Sequence, residues 1–202
     1  TVILKEMEQH SPKKRFLNIN LPIIIRGCQQ NDLLCQEQLY KLFYPEMIKV
    51  CSRYATDSDG AGTIYNNSML RIFKNIGEYK EEGKLRAWVK TIVVHCCIDF
   101  CKKKMLLTEA LSENNQEEIS ISSEVFNVVS AKEIQSIIGE LPPATAVVFN
   151  MYVYEGYTHK QIGENLGISD GTSKWHFSEA KRLLKIKIDS FSSTSTKSNA
   201  AG

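Results

Sequence analysis

The sequence predicts an all-α fold: two small helical domains joined by a flexible acidic linker. Three observations carry that prediction. Apolar residues recur at helical spacing, most clearly where Tyr65, Met69, Ile72, Phe73 and Ile76 fall on one face, while β-branched alternation is scarce. Glycine and proline punctuate the chain at a few defined places. Charge comes in blocks. Residues 84–104 hold six basic side chains against Asp99, residues 108–133 hold six glutamates against Lys132, and residues 158–189 hold six basic side chains against four acidic ones. Two basic modules separated by an acidic stretch suit a chain that faces nucleic acid with both ends.

Residues 1–24 read as an N-terminal extension and residues 25–105 as the first domain. Asp32 can cap a helix carrying Leu34, Leu39, Leu42 and Phe43. Pro45 suits a first helical turn better than an interior, so a separate helix is expected over residues 45–54. Residues 56–62 form a polar, glycine-bearing break. The stripe through Tyr65 and Ile76 follows, and then a charged loop over residues 77–83. A longer helix carries Leu85, Trp88, Val89, Ile92, Val93, Cys96 and Phe100 inward. Lys102, Lys103 and Lys104 close it, where positive charge complements the helix dipole. Residues 106–131 form the acidic linker and residues 132–189 the second domain. There Ile134, Ile137, Ile138 and Leu141 mark a short helix ended by Pro142 and Pro143, with another helix over residues 144–155. Residues 190–202, nearly all small and polar, read as a disordered tail.

Composition excludes several classes. At 43% hydrophobic, with only 11 Gly and 5 Pro in 202 residues, the chain can bury a core and is neither collagenous nor wholly disordered. No apolar run approaches the roughly 18–20 residues that span a bilayer. The first nineteen residues mix Lys, Glu and His without a signal-peptide stretch. A cytoplasmic protein without membrane insertion is expected. Cys28, Cys35, Cys51, Cys96, Cys97 and Cys101 contain no C-x-x-C pair and read as reduced core thiols. Cys97 and Cys101 with His95 lack a fourth ligand, so no metal and no cofactor are expected. Catalytic residues are not indicated: no paired carboxylates, triad or phosphate loop is evident, and the chain does not read as an enzyme.

The strongest local signal lies in the second domain. Thr158 with Gln161 three residues on fits a capping box, and Gly167 supplies a left-handed stop. Ser169 then caps a long helix. Phe177, Ala180 and Leu184 form its inner stripe, and Lys174, Ser178, Lys181 and Lys185 recur outside. A helix, a short glycine-containing turn and a second helix with a basic outer face is the geometry that places one helix in a DNA major groove.

The run from Leu141-Pro142-Pro143 through Glu155-Gly156-Tyr157-Thr158-His159-Lys160-Gln161-Ile162-Gly163 to Leu166-Gly167-Ile168-Ser169-Asp170-Gly171-Thr172-Ser173-Lys174 resembles region 4 of the sigma-70 family. In the first half, Met69-Leu70-Arg71-Ile72-Phe73-Lys74-Asn75-Ile76, Lys84-Leu85-Arg86-Ala87-Trp88-Val89-Lys90-Thr91-Ile92 and Cys97-Ile98-Asp99-Phe100-Cys101-Lys102-Lys103 are similar to sigma region 2. The likeness is to the small extracytoplasmic-function (ECF) sigma factors, especially Bacteroidetes-like ones with a diverged region 2.

That resemblance implies a promoter-recognition subunit of bacterial RNA polymerase. Region 2 would bind the β′ coiled coil of core RNA polymerase and read and melt the minus-ten element; region 4 would bind the β flap and read the minus-thirty-five element. Carried onto this chain, the residues for minus-ten recognition and melting are Asn75, Tyr79, Lys80, Lys84, Arg86, Trp88 and Lys90. Ala61, Tyr65, Asn66, Met69 and Arg71 are those for core polymerase binding. On the recognition helix, Ser173, Lys174, Trp175, His176, Ser178, Lys181 and Arg182 are taken as outward DNA contacts. Trp88 also reads as core packing.

A membrane anti-sigma factor is a common partner in that family. The chain departs from the pattern where residues 60–67 replace an acidic run, and where Trp175, His176 and Glu179 replace more usual residues. Glu179 removes a phosphate-attracting charge, and these departures together point to recruitment by a DNA-bound partner, an activator or an RNA-guided DNA-binding protein. The alternative is a helix-turn-helix transcriptional regulator with a helical sensor domain.

Overall fold

A computed structural model describes residues 20–80, 83–109 and 136–198, and every regular element among them is a helix. Residues 1–19, 81–82, 110–135 and 199–202 lie outside the described residues, and with them Ile134 and all of the linker expected over residues 106–131 but its first four residues, which are helical. α1 (Leu21–Gln29) and α2 (Leu33–Cys51) open the first bundle. Asp32 caps α2 as expected, its carboxylate accepting from the Cys35 amide at 2.8 Å. Pro45 does not start a new helix: α2 runs through it. Pro45 and Lys41, whose carbonyl the ring leaves without an amide partner, are both exposed residues, and Leu39, Phe43, Met47 and Val50 keep one continuous buried stripe.

α3 (Ser58–Asn75) likewise begins earlier than propensity suggests. Two glycines should weaken this turn by up to about 1 kcal/mol each. The Asp57 carboxylate accepts from the Gly60 amide at 2.7 Å, and Ala61, Ile64 and Tyr65 are buried immediately after. Capping and burial outweigh the two glycines. A short 3₁₀ turn, Ile76–Glu78, leads out of α3. α4 (Leu85–Glu109) then continues past Lys104, where a stop was expected.

Residues 136–139 are helical and precede α5 (Pro143–Val153), α6 (His159–Leu166) and α7 (Asp170–Ser198). The tail expected from residue 190 is therefore helical as far as Ser198. Ile137, Ile138 and Leu141 pack on Ala180, Leu184 and Ile188 in a small core of their own. Val147, Val148, Met151 and Ile162 join the core of the first bundle instead. The two parts of the chain thus meet across a shared apolar surface built from α4, α5 and α6. Among the described residues no helix is long and apolar enough to cross a membrane.

Candidate nucleic-acid interface

α6 and α7 form the expected hairpin in detail. The Thr158 amide donates to Gln161 Oε1 at 2.9 Å while Thr158 Oγ1 accepts from the Gln161 amide at 3.3 Å, which completes the capping box. Gly167 sits at φ +75°, where a side chain would be strained. Gly163 meets the turn so closely that a Cβ there would lie 2.7 Å from the Ile168 carbonyl oxygen. Ser169 caps α7, its Oγ accepting from the Thr172 amide at 2.9 Å.

The outer face of α7 carries Lys174, Ser178, Lys181 and Lys185, all exposed. Their charges are partly committed. Lys174 reaches Asp170 at 2.6 Å, and Lys181 lies 5.1 Å from the centre of the Phe177 ring. Arg182 makes a two-pronged pair with Glu179, Nε and Nη2 donating at 2.8 and 2.7 Å. Hydrogen bonds from Arg182 hold the Glu179 carboxyl below its ordinary range.

Two residues expected to face outward do not. Ser173 is fully buried and its hydroxyl shares a 3.0 Å hydrogen bond with His159 Nδ1. His176 pairs through Nδ1 with the buried Thr145 hydroxyl at 3.1 Å. The reason is helical phase: Ser173, His176 and Phe177 share the stripe that leads to Ala180, which packs inward. Trp175 stands half-buried, edge-on to His176 with ring centres 4.9 Å apart. Burial lowers the pKa of both imidazoles, the leading cause at His159 as at His176. A histidine favoured neutral in the folded state stabilises fully above its unfolded pKa and loses that contribution as pH falls toward the folded value. The second domain should therefore melt at lower temperature at pH 5.5 than at pH 7.5. In H159N/H176N that pH difference should shrink, as read by thermal denaturation followed through Trp175 in a W88F background.

In the first bundle, Lys80, Lys84 and Arg86 are exposed, and Asn75 and Lys90 are half-buried. Tyr79 is buried and tilts against Trp88, with ring centres 5.3 Å apart, so this pair acts first as packing. Arg86 is tied to Glu46, its Nη2 at 2.8 Å. Ala61, Tyr65 and Met69, expected at a polymerase surface, are each at most 1% exposed. They belong to the inward stripe of α3, whose periodicity requires it. Tyr65 donates to the Tyr40 carbonyl at 2.7 Å and meets the Tyr40 and Tyr44 rings edge-on. Asn66 and Arg71 are exposed beside it, Asn66 accepting from the Tyr40 hydroxyl at 2.8 Å and Arg71 pairing with Asp99 at 3.1 Å.

Sequence reasoning missed Arg53, Asn150 and Glu155. The Glu155 side chain, 3% exposed, takes Arg53 at 3.2 Å and Lys90 at 2.8 Å. Asn150 Nδ2 donates to the Arg53 carbonyl at 2.7 Å, and the Arg53 guanidinium lies 4.6 Å from the centre of the Tyr154 ring. Among the described residues no group of three His, Cys, Asp or Glu side chains converges to hold a metal ion.

A family model for sigma-70 region 2 matches residues 39–106, and one for sigma-70 region 4 matches residues 131–184. Similar proteins include the ECF RNA polymerase sigma factor SigM of Mycobacterium tuberculosis, 20% identical over 73% of this chain and 74% of that one. The RNA polymerase sigma factor SigZ of Bacillus subtilis is 22% identical over 76% and 86%. The ECF sigma factor SigL of M. tuberculosis is 24% identical over 74% and 89%. Among solved structures, the sigma factor RpoE of Bartonella quintana, in complex with the anti-sigma factor NepR, is 14% identical. It covers 76% of this chain and 96% of that one with a TM-score of 0.47.

Proposed function

The chain belongs to the sigma-70 family as an ECF RNA polymerase sigma factor, and from that premise we propose how its own residues divide the work of starting transcription. α7 enters the major groove at the minus-thirty-five element. Lys174, Lys181 and Lys185 hold phosphates there, while Ser178 and Trp175 are placed for base edges. Lys80, Lys84, Arg86 and Lys90 hold the backbone at the minus-ten element, with Asn75 at the loop that receives the opened strand. Asn66 and Arg71 meet core polymerase. The reading is carried by one observation: a fully capped helix-turn-helix with a basic outer face stands in the same chain as a region 2 match. A plain helix-turn-helix regulator accounts for the first and not for the second.

Recruitment by a DNA-bound partner, an activator or an RNA-guided DNA-binding protein, is the finer part of this proposal. It is supported by Glu179, which occupies Arg182 and lowers the charge available to phosphates. An anti-sigma factor that covers these DNA-facing surfaces is likewise proposed as a partner.

The experiment is transcription in vitro with purified bacterial core RNA polymerase and a genomic fragment library, sequencing the RNA starts. Discrete starts with shared upstream motifs are expected. No starts and no polymerase bound by the chain would overturn the proposal; starts only when a candidate recruiter is added would select its finer part. For DNA binding measured by anisotropy, K174A and K181A should each weaken affinity across sequences and reduce the salt slope by about 1. R182A should do less, because Glu179 already holds that guanidinium.

A further inference from the structure

Glu155 is the joint between the two regions. Its side chain leaves the C-terminus of α5 almost wholly buried, and both cations that neutralise it come from the region 2 bundle: Arg53 after α2 and Lys90 in α4. A buried carboxylate holds such a position only while it is paired. Lys90 is also one of the residues proposed to hold the minus-ten backbone, so a carboxylate sits where a DNA phosphate would be bound.

The closed arrangement is incompatible with reading two promoter elements at once. Elements about 25 base pairs apart lie roughly 85 Å apart along B-DNA, at about 3.4 Å per base pair. A compact chain of this length has a radius of gyration of about 17 Å and a diameter near 40 Å. The two reading surfaces must therefore separate.

The interface is built in a way that allows separation. Arg53 Nε, Tyr54 Oη and Asn150 Oδ1 are buried there without a protein hydrogen-bond partner. The same three residues line a cavity of about 70 Å³ with Cys101, Leu141 and Val147, drawn from both regions. Three buried polar atoms without a protein partner beside a small cavity make this contact less completely packed than a domain core.

We infer that Glu155 is an internal phosphate mimic, an autoinhibitory latch that keeps the chain closed and the Lys90 charge paired until region 4 is pulled away. The masking of DNA contacts rests on the sigma reading above, whereas the latch itself does not.

The test uses the full chain. Small-angle X-ray scattering should give a larger radius of gyration for E155K, which sets three cations together, and an intermediate one for E155Q. E37K, an exposed change of equal charge on α2, should leave the wild-type value. Circular dichroism of each variant checks that helix content is kept. In the wild type, Lys90 should be acetylated by an amine-reactive ester more slowly than the exposed Lys84, and E155Q should remove that protection. Binding of a fluorescent single-stranded DNA of mixed sequence should tighten about fivefold or more in E155K relative to E37K.

Unchanged scattering together with unprotected Lys90 in the wild type overturns the latch. Opening without any gain in DNA binding leaves the latch and overturns the masking. Failure of the sigma reading itself would be seen separately, as absent transcription and absent polymerase binding by every variant.

Discussion

G163A should unfold the second domain or cost it about 1–3 kcal/mol, because the added methyl has no space that a side chain could yield. Its Cβ would meet the Ile168 carbonyl, a backbone atom in the turn that orients α7. The turn must move, and α7 tilts away from the position its caps set. In a W88F background, where Trp175 is the remaining tryptophan, the melting transition should drop by several degrees and promoter-directed transcription should fall with it. Full transcription at wild-type stability would mean that the hairpin tolerates a looser turn than this geometry allows. G167A tests a different term, the positive φ, and should cost less, since nothing lies near its Cβ.

Y65A should be at least as damaging, at about 3–5 kcal/mol, a large share of the roughly 5–15 kcal/mol that holds a typical domain together. The ring is fully buried between α2 and α3, and its loss also removes the hydrogen bond that the hydroxyl donates to the Tyr40 carbonyl. Y65F keeps the packing and loses only that bond, about 1 kcal/mol. The pair separates two roles for this position. If Tyr65 is core, Y65F captures core polymerase as well as the wild type does, and Y65A loses capture together with helix content. If Tyr65 touches the polymerase through its hydroxyl, Y65F loses capture while still folded.

Tyr65 also shows how a helical pattern and a family likeness can pull one residue in two directions. Its place at i in the Tyr65, Met69, Ile72 series marked it as inward; the alignment of roles marked it as a contact. The structure sides with the period. The same holds on α7, where Ala180 and Leu184 already fixed the inner stripe and Ser173 and His176 fall on its extension. The caps at Asp32, Thr158 and Ser169 and the stop at Gly167 were legible because each is a local device, completed within three or four residues. Pro45 and the Gly60 turn were misread for the opposite reason: propensity is local, and burial of Phe43, Met47, Ala61 and Ile64 overrode it. Nothing local could reveal Glu155. Its partners stand 102 and 65 positions earlier in the chain, and an Arg-Glu-Lys set at those separations has no pattern to detect.

The division of α7 into two faces bears on how such a helix could be retargeted. Ser173, His176 and Ala180 are committed to Thr145, His159 and the small core, so a change there is felt first as misfolding. Lys174, Ser178, Lys181 and Lys185 touch little that the fold requires. A library selected for activity on a new promoter should therefore collect its substitutions at those four positions and leave Ser173, His176 and Ala180 unchanged. The usable alphabet of the helix is one face wide, and its specificity can drift or be redesigned there without renegotiating stability.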